Sequence, residues 1–134
     1  MSRRVRLARN AALMWLVLLM LAFANGALRE LLLARLFGPA ALPLSGATAL
    51  LAFAIAIVLF VRHSRPAPRE AAVIGTAWLA ATVLLEFVLF VAQGRPGAIV
   101  DVFTWRAIAG GNLFAVLVAL VALAPVAFAW RLSR

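Results

Sequence analysis

The chain has 134 residues, a net charge of +9 and a hydrophobic fraction of 67 %, with only 13 % of its residues charged. Soluble domains are about half apolar and about a quarter charged, so this composition excludes an ordinary water-soluble domain, and it argues against the nucleic-acid partner that a basic chain otherwise suggests. Without cysteine there is no disulfide, thiolate metal site or Cys nucleophile, and a single histidine, His63, cannot build a metal site or complete a hydrolytic triad.

Charges cluster along the chain, and the intervals between clusters have the length of membrane spans, about 20 apolar residues each. Ala11–Leu28 carries no charge, and its helical pattern continues to Phe37, so a first helix is expected over about residues 10–37, closed by Gly38-Pro39. Ala22-Phe23-Ala24 behind a basic start also resembles a secretory signal with cleavage after Ala24, against which stand the length of the apolar run and the continuing helical pattern. A second helix is expected over about 41–62, followed by Arg65-Pro66-Ala67-Pro68-Arg69, which cannot propagate a helix. The third runs over about 71–93, interrupted only by Glu86, and Gly94-Arg95-Pro96-Gly97 ends it. The fourth is expected over about 107–130, with Pro125 inside it as a kink rather than a break, since bundle neighbours can satisfy the freed carbonyl. Trp15, Trp105 and Trp130 fall near the expected membrane boundaries, where indole rings concentrate.

These elements define an all-α integral membrane protein, a single domain over residues 1–134 built as a four-transmembrane-helix bundle. Arginine gives the orientation. With the N-terminus inside, Arg3, Arg4, Arg6, Arg9, Arg62, Arg65, Arg69, Arg131 and Arg134 are cytoplasmic, and Arg29, Arg35, Arg95 and Arg106 lie on the other side. The positive-inside rule therefore places both termini in the cytoplasm.

Helical spacing puts the polar residues of each helix on one stripe. Trp15, Leu18, Ala22, Asn25 and Arg29 share a face of the first, and Ser45, Thr48, Ala52, Ile55 and Leu59 of the second. Gly75, Leu79, Thr82, Glu86, Leu89 and Gln93 align on the third, and Ile108, Asn112, Ala115, Ala119, Ala122 and Val126 on the fourth. Small residues at i, i+4 spacing (Ala22/Gly26, Ala71/Gly75, Gly111/Ala115/Ala119) suit close packing in lipid. In depth, the polar groups converge on the outer half, with Glu86 about seven residues, roughly 10 Å, from the outer end of its helix.

An ionisable group inside a span usually faces the bundle interior and has a partner. The expectation is an outward-facing polar pocket with Glu86 deepest, Arg29 as its counter-ion and Glu30 nearby. Asn25, Ser45, Thr82 and Asn112 form its hydrogen-bonding walls, and Asp101, Trp105 and Arg106 its rim. The plainer alternatives are a register-fixing Arg29–Glu86 pair, or an Arg29 that snorkels to the headgroups.

The elements Asn25-Gly26-Ala27-Leu28-Arg29-Glu30, Ser45-Gly46, Gly75 with Trp78, Thr82 and Glu86-Phe87, then Asp101, Gly111-Asn112-Leu113 and Ala124-Pro125, resemble a family of small, uncharacterised bacterial four-helix inner-membrane proteins. The resemblance implies an integral inner-membrane protein and supplies no activity. Small multidrug-resistance transporters fit poorly, because their membrane glutamate lies in the first helix and their aromatic lining includes tyrosine. Fluoride channels share only a likeness around Gly26–Arg29.

Two functional classes follow. One is a non-enzymatic protein with a structural, subunit or lipid- or small-ligand-binding role. The other is a small oligomeric transporter or channel using Glu86. Acid–base chemistry by Glu86, Asp101 and Arg106 on a lipid headgroup is a third, supported by no nucleophile or metal set. No cofactor and no metal is expected. The expected partners are the lipid bilayer, a lipid or small polar ligand, and a second copy or a membrane partner subunit.

Overall fold

The computed structural model describes residues 1–134 and is helical throughout, with no strand. Helix α1 spans Arg3–Leu28, and Ser2 caps it by accepting a hydrogen bond from the Val5 N–H at 3.3 Å. It runs without a break into a π-helical turn, Arg29–Leu33, and then α2, Ala34–Phe37. The chain reverses at Gly38, whose φ of +55° suits glycine, and passes through a 3-10 turn (Gly38–Ala40) into α3, Ala41–Ser64. Helix α3 stops at Arg65, which is left-handed at φ 44°, ahead of Pro66. Pro68 then opens α4, Pro68–Ala92, at the position where its missing N–H costs nothing. Two short helices follow, α5 (Ala98–Asp101) and α6 (Trp105–Ala109), and α7 spans Phe114–Leu132.

Three helical stretches are long and apolar enough to cross a membrane: Arg3–Ser64, Pro68–Ala92 and Phe114–Leu132. The first, 62 residues long, doubles back at Gly38 so that α1 and α3 pack against each other. Helix α3 also packs on α7, and α7 on α4, which is the most extensive helix pair. Side chains close the ring between α1 and α4. The Trp78 indole N–H donates to the Ala11 carbonyl at 3.0 Å, and the Trp15 indole N–H to the Thr82 hydroxyl at 3.2 Å.

The core is concentrated in the half of the bundle that holds both chain ends. Ile57, Val61, Ala71 and Val121 are at most 1 % exposed there, and Trp78 stacks on Phe60 at 5.2 Å between ring centres. Gly75 makes this packing possible: a Cβ at that position would run into the Ala122 carbonyl oxygen of α7. At the end of this half, Arg3 makes a two-pronged ion pair with Glu70, at 2.6 and 3.0 Å, and also donates to the Arg65 carbonyl at 3.2 Å. Glu70 in turn accepts from the Ala67 N–H at 2.7 Å, so one carboxylate ties the start of α1 to the start of α4.

Three expectations are corrected. The fourth helix does not run from residue 107. Gly110 and Gly111 (φ +93°) interrupt it, and Asn112 sits in the turn before α7. The inward face of α3 is Ser45, Ala49, Phe53 and Ile57, whereas Ile55 and Leu59, expected inside, are more than half exposed. On α7, Val118, Val121 and Pro125 point inward and Ala119 is exposed. In helices this uniformly apolar, a few polar residues fix the face to within about one position, and the packing of large side chains then selects it. Helix α7 continues through Pro125, which is buried against its neighbours.

Gly75→Ala should destabilise the bundle by about 1–3 kcal/mol, because a backbone carbonyl must move to admit the methyl. Gly26→Ala, whose methyl would meet nothing within 4 Å, should be neutral or stabilising by up to about 1 kcal/mol. Thermal unfolding in mild detergent checks both. The Arg3 guanidinium and the Ala67 N–H hold the Glu70 carboxyl at about 2, below its ordinary 4.5. A carboxyl depressed in this way stabilises the fold above about 4.5, and that contribution is lost as pH falls through about 2. The stability gap between the native chain and Glu70→Gln should therefore close on acidification across that window, and should shrink with added salt because the pair is exposed to solvent.

Candidate functional site

The half of the bundle away from the chain ends is hollow. The ties between α1 and α4 (Arg3–Glu70, Ala11–Trp78 and Trp15–Thr82) all lie at or before Thr82, and no hydrogen bond joins the two helices beyond it. There a cavity of about 780 Å³ opens between α1, α3, α4 and α7. Of the 26 residues that line it, 17 are hydrophobic. Its floor, Leu18, Phe53 and Val121, belongs also to the packed core, so the cavity is blind at that end.

The polar lining is organised around Asn25. Its amide donates to the Ser45 hydroxyl and carbonyl, both at 2.8 Å, and its oxygen accepts from the Thr48 hydroxyl at 2.6 Å. Ser45 is only 1 % exposed, while Asn25 is partly buried and Thr48 exposed, so this cluster fastens α1 to α3 as a polar seam anchored on one buried serine. Thr82 accepts from Trp15 across the cavity floor. One turn further along α4, Glu86 is half-buried in the lining and has neither a hydrogen-bond nor an ion-pair partner. Asn112 accepts from the Phe114 N–H at 3.1 Å and so caps the start of α7 while facing the cavity.

Arg29 opens the π-helical turn, and its guanidinium lies 3.6 Å from the Glu30 carboxylate. The expected Arg29–Glu86 ion pair is not formed: both residues line the cavity, but Arg29 pairs with its neighbour. Arg29 keeps the α-helical bond to the Asn25 carbonyl, so its backbone register is as expected, and it is its side chain that lies beside the Glu30 carboxylate instead of Glu86.

Of the residues expected at the site, Asn25, Arg29, Glu30, Ser45, Thr82, Glu86 and Asn112 are brought together around the cavity. Asp101, Trp105 and Arg106 are not: they are exposed in and around α5 and α6, with Trp105 84 % exposed, and the side chain that reaches the cavity from this segment is Val102. Trp15 lines the cavity and is tied to Thr82 there. Sequence reasoning missed the apolar walls, including Phe23, Phe90 and Leu113. Gly46 was a usable signal for one of them, since it leaves room for Leu113, whose side chain would lie 2.7 Å from a Cβ there.

No group of His, Asp and Glu side chains is arranged to hold a metal ion. Ser45 is committed to Asn25, and His63 is exposed beyond the packed half, so neither forms a nucleophile–base pair. The arrangement suits binding: an apolar chamber with one unengaged carboxyl. Comparisons with models of protein families, with characterised proteins and with solved structures find no match to this chain.

Since Arg29 and Glu86 do not meet, Arg29→Ala and Glu86→Gln should act additively on stability. A double-mutant cycle read by thermal unfolding in mild detergent should give a coupling below about 0.5 kcal/mol, and a larger value would put the two side chains in contact.

Proposed function

We propose that this chain is a multi-pass bacterial inner-membrane protein of four spans, related to the small four-helix family its motifs resemble, and that it works as a small binding protein for a lipid or lipid-like amphiphile. Each arm of the doubled-back Arg3–Ser64 stretch is long enough for one crossing, which with α4 and α7 makes four. Large apolar side chains face outward along the whole bundle, among them Leu51, Val73, Leu84 and Leu123, each more than 60 % exposed, and such a surface suits hydrocarbon. The arginine bias puts the packed half and both termini toward the cytoplasm and the hollow half toward the periplasm.

The observation that carries the binding reading is the division of the bundle into a packed half and a hollow one. A cavity of 780 Å³ falls within the range of about 300–1,000 Å³ typical of small-ligand sites, and its mixture of apolar wall and a few polar groups is the usual character of such sites. The same division counts against transport through one protomer, because the polar lining ends at Thr82 above a floor of Leu18, Phe53 and Val121. A transporter or channel therefore requires an oligomer whose pathway lies between copies.

Native mass spectrometry of the protein released from mild detergent tests this reading. The expected result is a protomer that retains bound lipid or amphiphile, with occupancy falling several-fold when Ala22→Phe fills the cavity from α1. A folded native protomer that carries nothing would overturn it, and a stable ring of copies would favour the transport reading.

A further inference from the structure

Resting on the binding reading, we infer that the cavity selects amphiphiles whose polar end is a cation, of the alkylammonium class, and that Glu86 is the anchor for that charge. Three charged side chains line the cavity: Arg29, Glu30 and Glu86. Arg29 and Glu30 lie 3.6 Å apart and largely cancel each other, with Glu30 73 % exposed. Glu86 has no such partner and lies deeper, so it is the one carboxyl of the lining without a counter-charge beside it.

Most of the neutral polar groups nearby are engaged, the Asn112 amide N–H donors excepted. Asn25 is held by Ser45 and Thr48, Thr82 receives the Trp15 indole, and the Asn112 oxygen caps α7. None of these bonds is directed at Glu86. An ionised carboxylate in a low-dielectric chamber is costly unless a counter-charge accompanies it, and an ammonium head supplies both the charge and N–H donors for the carboxylate oxygens. The rest of the lining favours the same ligand. Phe23 and Phe53 offer aromatic surface to the head or to the first methylenes of a chain, and leucine, alanine and valine side chains supply much of the remaining wall. An anionic head would have to sit on Arg29 beside the Glu30 carboxylate, which opposes it.

The protein's overall charge makes the test discriminating. At +9 the molecule as a whole attracts anions and repels cations, so a preference for a cation cannot come from the general field. The experiment compares decylammonium, decanol and decyl sulfate, matched in chain length, for binding to the full chain in nonionic detergent, read by native mass spectrometry and by thermal shift. Decylammonium should bind the native protein at least about tenfold more tightly than decanol. Glu86→Gln should abolish that preference while still binding decanol, Glu86→Asp should retain it, and Arg29→Ala should leave it unchanged. A stronger response to decyl sulfate, or an ammonium preference that survives in Glu86→Gln, overturns the assignment. Equal binding of all three probes overturns it while leaving the binding reading intact, and no binding of any probe overturns both.

Discussion

At Gly75 the backbone of α4 lies directly against the Ala122 carbonyl of α7, with no room for a methyl group between them. Close approach of this kind is what holds helices together where the surroundings are as apolar as the side chains, because dispersion contacts and not water exclusion must do the work. With α4 drawn onto α7 there, Trp78 of the same helix reaches across the bundle to Phe60 and to the Ala11 carbonyl. That one indole fills the centre of the packed half and satisfies its own N–H in doing so. The remaining ties from α1 to α4 lie on either side of it, and beyond them Gly26 of α1 meets nothing within 4 Å, so no close contact draws α1 and α4 together there. The hollow is thus a consequence of where the close contact is placed.

The hollow half is held by polar bonds instead. Asn25, Ser45 and Thr48 join α1 to α3 with short side-chain hydrogen bonds, which offset the desolvation of the buried Ser45. The seam and the Gly75 contact divide the labour: one fixes the α4–α7 wall near the chain ends, the other the α1–α3 wall at the far end. Between those walls the cavity persists, because neither device pulls α1 onto α4.

Much of this was legible in the residues. Glycine and proline at Gly38-Pro39 and Pro66-Ala67-Pro68 mark the turns, and apolar length marks the helices. Seven polar positions expected to converge do so, since each sits on a helix otherwise almost free of polar groups and has few places to go. What was not legible depends on neighbours. Nothing local distinguishes an α3 face through Thr48 and Leu59 from one through Ala49 and Ile57, and only the fit against α1 and α7 decides between them. The placing of the Arg29 guanidinium beside its chain neighbour Glu30 instead of Glu86 has no signature in helical spacing either, since it depends on which way the side chain turns within the bundle. The Gly110-Gly111 break was legible in principle, as a glycine pair followed by asparagine is turn chemistry, but the apolar run on either side outweighed it.

The unpaired state of Glu86 ties these points together. Had Arg29 reached it, the pair would explain the carboxylate as a clamp on helix register, and the chamber would be a mere packing defect. Instead the guanidinium lies beside Glu30, Asn25 is bonded to Ser45 and Thr48 and Trp15 to Thr82, and the one carboxyl without a counter-charge beside it faces the space the fold leaves open. A bundle whose sole purpose was to hold together would gain by replacing Glu86 with leucine, which could pack against Phe90 and Leu117 at no cost in desolvation. Under the proposed binding role, the carboxylate at that position is the group that meets what enters the chamber.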